Sequence, residues 1–154
     1  MELKTILSST RVDEVTASSR PSLSPADSIA SAANAMREVS HGCCMICDAG
    51  KLVGILTERD LLHALSAETD FESPVSTVMT QNPQTITATE SLLKAAQMMD
   101  RGGYRRLPVI DENEKPVGFI DVKSLMHFLV EHFPGAVYNQ SSLEDSIAKK
   151  AEGA

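Results

Sequence analysis

Apolar positions recur along this chain in two registers, and each register is written twice. Ile29, Ala32, Ala33 and Met36 follow the i, i+3, i+4, i+7 spacing of a helix with one buried face, and Leu92, Ala95, Ala96 and Met99 repeat it. Short apolar runs come next, at 43–47 and 52–56, then at 107–110 and 117–120. The polar links between them, Asp48-Ala49-Gly50-Lys51 and Asp111-Glu112-Asn113-Glu114-Lys115-Pro116, predict two hairpins of half-buried strands. Closing helices are predicted over about 58–66 and 122–133, so each copy reads strand, helix, strand, strand, helix. Ser24-Pro25-Ala26-Asp27 and Thr87-Ala88-Thr89-Glu90 have the hydroxyl-to-carboxylate spacing of a capping box, which predicts that both long helices start there. Gly42 and Gly102-Gly103 supply stops.

The copies align position by position. Val12/Val75, Val15/Val78, Leu23/Ile86, Asp27/Glu90, Ser28/Ser91 and Asp48/Asp111 stand 63 residues apart; past a one-residue insertion, Val53/Val117 and Gly54/Gly118 stand 64 apart. A unit of this size cannot bury its apolar face alone, so it packs against its copy. The chain divides into a first repeat with its N-terminal segment (1–66), an acidic linker (67–74), a second repeat (75–133) and a tail (134–154). In the tail, Leu143 and Ile147 sit four apart and predict a weak amphipathic helix over 142–150, suited to a dimer or lid contact.

Composition narrows the function classes. A net charge of −7 argues against broad nucleic-acid or anionic-membrane binding, and no apolar run approaches the roughly 20 residues of a membrane span. The start, MELKTILSSTRVDEV, has neither a basic nor a continuous apolar region of a secretion signal. Three cysteines close together fit a reducing cytoplasm better than a disulfide scaffold.

Two stretches carry a family likeness. Gly54-Ile55-Leu56-Thr57-Glu58-Arg59-Asp60-Leu61-Leu62 and Tyr104-Arg105-Arg106-Leu107-Pro108-Val109-Ile110-Asp111, in register within the repeat, resemble the cystathionine β-synthase (CBS) domain, and the tandem pair resembles a Bateman module. The resemblance covers about residues 10–133. It implies an α/β fold of two small sheets with flanking helices in pseudo-two-fold arrangement, leaving two clefts. It also implies a non-catalytic regulatory module that binds an adenosine ligand (AMP, ADP or ATP; S-adenosylmethionine or NAD as further options), forms a homodimer and signals to a separate effector protein.

By that resemblance Asp60 would take the ribose diol and Thr57 a phosphate or ribose oxygen. Arg105 and Lys123, from the second repeat, would hold phosphates, and the adenine would lie against Ile55, Tyr104 and the extended segment Asn82-Pro83-Gln84. Without a ligand, Thr57 and Asp60 read as an N-cap and an N3 carboxylate favoured by the helix dipole, and Arg105, Arg106 and Lys123 as a solvated basic edge. The second cleft departs from the pattern: Asp60 maps to Ser124, Thr57 to Asp121 and Arg105 to Gly42, leaving Arg59 as the counterpart of Lys123. One nucleotide site per chain is therefore expected.

His41, Cys43, Cys44 and Cys47 invite a metal or redox reading. On a strand, however, Cys43, Met45 and Cys47 share one face while Cys44 and Ile46 share the other, so the thiols diverge and fill core space. His63, His127 and His132 lack partners at metal spacing, and no metal is expected. No nucleophile–base motif, Walker loop or GxGxxG appears. Two alternatives stay open: a structural dimerisation module with degenerate clefts, and a thiol or metal sensor.

Overall fold

The computed structural model describes residues 2–16, 22–39 and 42–132. The predicted 142–150 helix and His41 lie outside these residues. The chain runs through α1 (Leu3–Ser9), a 3-10 turn (Val12–Glu14), β1 (Ser22–Leu23), α2 (Ile29–Val39), β2 (Cys43–Asp48), β3 (Lys51–Thr57) and α3 (Glu58–Ser66). A second 3-10 turn (Val75–Thr77) leads to β4 (Thr80–Gln81), β5 (Ile86–Thr87), α4 (Leu92–Gly102), β6 (Arg106–Ile110), β7 (Pro116–Asp121) and α5 (Val122–His132). Two mixed sheets result, ordered β1-β2-β3-β4 and β5-β6-β7, each with its first pair parallel and the rest antiparallel.

The helix stripes bury as predicted. Ile29, Ala32 and Met36 pack with Cys44, Ile46, Leu56 and Val75 under the first sheet, and Leu92, Ala95 and Met99 pack with Leu107, Val109, Ile120, Leu125 and Phe128 under the second. The long helices start later than the capping boxes predicted. Ser28 and Ser91 are the caps, their hydroxyls accepting from Ser31 N–H at 3.0 Å and Lys94 N–H at 3.1 Å. Ser24–Asp27 instead closes a turn, in which Asp27 accepts from Ser24 N–H and donates its own N–H to Ser24 O. The chain offers hydroxyls at both places, and the later pair coincides with the first buried position of each stripe.

The packing boundaries cross the repeat boundaries. Val75, at the head of the second repeat, is wholly buried in the first repeat's core, and Val12, at the head of the first, is wholly buried in the second's. Backbone bonds mirror the exchange. Linker residues Ser73 and Phe71 accept from Ile29 and Ala30 N–H at the start of α2, while Thr10 accepts from Leu92 N–H at the start of α4. These bonds satisfy N–H groups that a helix start leaves unpaired. Helix α1, which the apolar pattern did not announce, packs Ile6 and Leu7 against the second core.

A third cluster joins the sheets. Cys43 and Met45 of β2 bury against Phe119 of β7, with Cys47, Leu52 and Ile55 alongside. At the hairpin tips, Leu52 N–H donates to Glu114 O at 3.1 Å, and Lys51 Nζ lies 3.4 Å from Glu114.

Candidate functional site

Strand β4 carries the exchange into the predicted site. Thr80 pairs with Ile55 and Gln81 with Gly54, so a piece of the second repeat extends the first repeat's sheet. Asn82 follows with a left-handed backbone (φ 47°), its N–H donating to Val53 O at 3.2 Å. Because β4 runs antiparallel to β3, Thr80 lies beside Ile55 while Asn82 leaves the sheet beside Val53, on the strand that ends at Thr57. Gly54 makes this approach possible: a Cβ there would lie 2.6 Å from Met79 Sδ and 3.0 Å from Thr80 O. The pairing was not legible from periodicity, because β4 is only two residues long; Gly54 beside a later Asn-Pro was its one local trace.

At the β3–α3 junction, Thr57 and Asp60 form a closed capping box. Asp60 N–H donates to Thr57 Oγ1 at 3.2 Å, Thr57 N–H donates to Asp60 Oδ2 at 2.9 Å, and the Thr57 hydroxyl donates to the same Oδ2 at 3.0 Å. Both side chains are half-buried. Asp60 Oδ1 accepts from no described residue, so the carboxylate keeps one oxygen toward its surroundings.

Arg105 and Lys123 meet at the other junction. Arg105 precedes β6, and its carbonyl accepts from Val122 N–H at 3.1 Å, one residue before Lys123 on α5. Both side chains are exposed. Tyr104 is also exposed, its ring folded onto the backbone of Gly102, where a Cβ would collide with it. Gly103 adopts the left-handed conformation that ends α4. The structure thus places Ile55 and Thr57 on β3, Asp60 in the first turn of α3 and Asn82 beside Val53 of β3, and gathers Tyr104, Arg105 and Lys123 around the other strand-to-helix junction.

The thiols divide as predicted. Cys44 faces α2, its Sγ 3.8 Å from Ala32 O, while Cys43 and Cys47 face the inter-sheet cluster. Burial pushes the Cys44 thiol up from its ordinary range; burial also raises that of Cys47, partly offset by a hydrogen bond with Ser22. A raised thiol is poorly nucleophilic. Among the described residues, no group of three or more His, Cys, Asp or Glu side chains is placed to hold a metal. A surface hollow of about 310 Å³ lies elsewhere, lined by Arg11, Thr87, Ala88, Thr89, Asp111, Glu112 and Asn113.

Comparison with known proteins agrees with this architecture. A model of the CBS domain matches residues 12–67 and again 75–131. An uncharacterized 17.7 kDa protein of Acidianus ambivalens is 32% identical over 123 residues, covering 79% of this chain and 74% of that protein. An Arabidopsis thaliana CBS domain-containing protein is 34% identical over 70% of this chain, which spans only 20% of that longer protein.

Among solved structures, the CBS domain pair of protein MJ0100 in complex with 5′-methylthioadenosine and S-adenosylmethionine is 25% identical (TM-score 0.71; 78% of this chain, 99% of that one). A Hypoxic Response Protein I with two coordinated zinc ions is also 25% identical (TM-score 0.69; 81% and 100%). A Pyrobaculum aerophilum CBS domain protein complexed with AMP shares the fold at 20% identity (TM-score 0.71; 86% and 99%).

Proposed function

We propose that this chain, which belongs to the CBS domain family and carries the domain twice, is a non-catalytic regulatory module binding one adenosine nucleotide between its repeats. AMP, ADP or ATP is the ligand class, with S-adenosylmethionine and NAD the competing adenosine compounds. Asp60 stands at the ribose diol, Thr57 at a phosphate or ribose oxygen, Ile55, Tyr104 and Asn82-Pro83-Gln84 at the adenine, and Arg105 with Lys123 at the phosphates. The observation that carries the reading is the β3–β4 pairing, which delivers Asn82 to the strand ending at the Thr57–Asp60 box. A carboxylate with one open oxygen suits a ribose diol, and exposed cations suit phosphate.

A ligand held by both repeats biases their relative orientation to the extent that it binds one arrangement more tightly, and phosphate number tunes that bias through Arg105 and Lys123. The output passes to a separate partner in the cytoplasm. A homodimer is part of the proposal, supported by Leu62 and Leu65, which lie 65% and 63% exposed three residues apart on α3. Thermal-shift screening with AMP, ADP, ATP, S-adenosylmethionine and NAD tests the reading. It predicts stabilisation by at least one of them that Asp60→Ala abolishes; a flat response to all five contradicts it.

A further inference from the structure

We propose that the edge of the second repeat carrying Arg101, Arg105, Arg106 and Lys123 docks an acidic segment of the effector protein, and that nucleotide phosphate competes with it. The inference deepens the nucleotide-binding reading above by naming the chemistry of its partner. In a chain of net charge −7, residues 101–106 are exposed without a break and carry three arginines. The stretch starts in the last turn of α4 and ends on the first residue of β6; the Arg105 carbonyl accepts from Val122 N–H, which brings exposed Lys123 to the same edge. Tyr104, 41% exposed, adds an aromatic ring among the cations.

These charges are poorly neutralised within the chain. Arg11, Lys51 and Lys94 each pair with a carboxylate, whereas Arg101, Arg106 and Lys123 form no ion pair with any described residue. The carboxylate opposite Arg106 in the β6–β7 register, Asp121, engages Ser124 N–H at 2.7 Å instead. The first repeat has no such edge, since residues 38–43 contain Glu38 and no Arg or Lys. A cation cluster of this kind gains from a charge-complementary partner. A short acidic segment suits it better than a nucleic acid, because a long polyanion running past the edge meets a chain of opposite overall balance. Arg105 and Lys123 are also the phosphate residues of the reading above. Partner carboxylates and phosphate therefore meet the same cations, and each weakens the other by one factor.

The test follows fluorescein-labelled decaglutamate by fluorescence anisotropy at low salt, with melting curves to verify folding. Wild type is expected to bind the peptide, and Arg101→Gln/Arg106→Gln to bind it about tenfold more weakly, as for loss of two exposed charge pairs. Arg101→Lys/Arg106→Lys should retain binding. So should Lys4→Gln/Arg37→Gln, which removes two exposed cations elsewhere. Calorimetric AMP affinity should stay within about twofold in Arg101→Gln/Arg106→Gln, because those charges reach the phosphate through screening solvent. ATP should displace the peptide more than AMP does, and adenosine not at all. Absence of peptide binding, equal losses in the two Gln variants, or equally tight binding of a uridine decamer of RNA overturns the docking assignment. An AMP loss matching the peptide loss in Arg101→Gln/Arg106→Gln overturns it too, since those arginines then belong to the nucleotide site. Peptide binding indifferent to ATP overturns the competition. Failure of AMP to bind wild type removes the nucleotide reading, and the peptide arm alone then decides the edge.

Discussion

The two strand-to-helix junctions are built on one plan with the chemistry reversed. At β3–α3 the cap is a hydroxyl, Thr57, and the third helical position a carboxylate, Asp60; at β7–α5 the cap is a carboxylate, Asp121, and the third position a hydroxyl, Ser124. The backbone does not register the exchange, since each cap satisfies the N–H three residues on. Glu58 N–H donates to Gly42 O as Val122 N–H donates to Arg105 O. The flanks differ as well. In the first repeat the Glu58 side chain lies over Gly42, where a Cβ would stand 2.9 Å from its carboxyl carbon; the second repeat places Arg105 and Val122 at those positions. Fold-setting groups tolerate this exchange because a helix start needs only an acceptor. A ligand that carries phosphate does not tolerate it, because sign and position of charge decide its affinity.

The comparison can be broken first at what both junctions share. Phe119→Ala removes the side chain on which Cys43 and Met45 pack between the sheets. Urea denaturation is expected to show a loss of about 3–5 kcal/mol, and both junctions should lose their function together.

The next largest effects separate the junctions. Asp60→Ala is expected to weaken nucleotide binding about 10- to 100-fold, as for loss of hydrogen bonds to a charged group, whereas Ser124→Ala leaves calorimetric affinity unchanged. A graft sharpens the contrast. Asp121→Thr with Ser124→Asp rebuilds the first junction's box on α5 and is expected to create a second site for adenosine. AMP's advantage over adenosine should be smaller at that site than at the first, because Gly42 and Glu58 stand where the other repeat has Arg105 and Val122, leaving Arg59 as the one counterpart cation.

Smaller effects fall on stability alone. Asp121→Ala should cost about 1 kcal/mol, the usual price of an N-cap, read from chemical denaturation, without altering the first site's affinity. The thiols give a further difference, since Cys44 and Cys47 correspond to Leu107 and Ile110 in the second repeat. Burial raises both folded-state thiol values above the ordinary 9.0, so the unfolded chain loses these protons first as pH rises. Their contribution is complete below 9.0 and declines as pH climbs through the folded values. Melting curves between neutral and alkaline pH should show this decline in wild type and less of it in Cys44→Val.

Much of the fold was legible in local pattern. The helix stripes, both hairpins, the divergence of the thiols and the stop at Gly103 follow from spacing and from residue-level conformational preference. Three features were not. Val12 and Val75 look alike in sequence whichever core they enter, so the exchange of segments between repeats is a tertiary choice invisible to periodicity. Helix α1 contributes Ile6 and Leu7 to a core that does not adjoin it in the chain. The helix starts shifted from the predicted boxes because Ser24–Asp27 satisfies itself as a turn. For the site, the motif placed Thr57 and Asp60 on one junction and Arg105 and Lys123 on the other. It did not disclose that Thr57 spends its hydrogen on Asp60, a matter of side-chain geometry that spacing cannot carry.

The central claim is that the repeat is symmetric in fold and asymmetric in chemistry, and binding stoichiometry tests it most directly. Titration of AMP into the wild-type chain by calorimetry is predicted to saturate at one nucleotide per chain, with that site weakened about 10- to 100-fold in Asp60→Ala. Saturation at two nucleotides of equal affinity per chain would contradict the account.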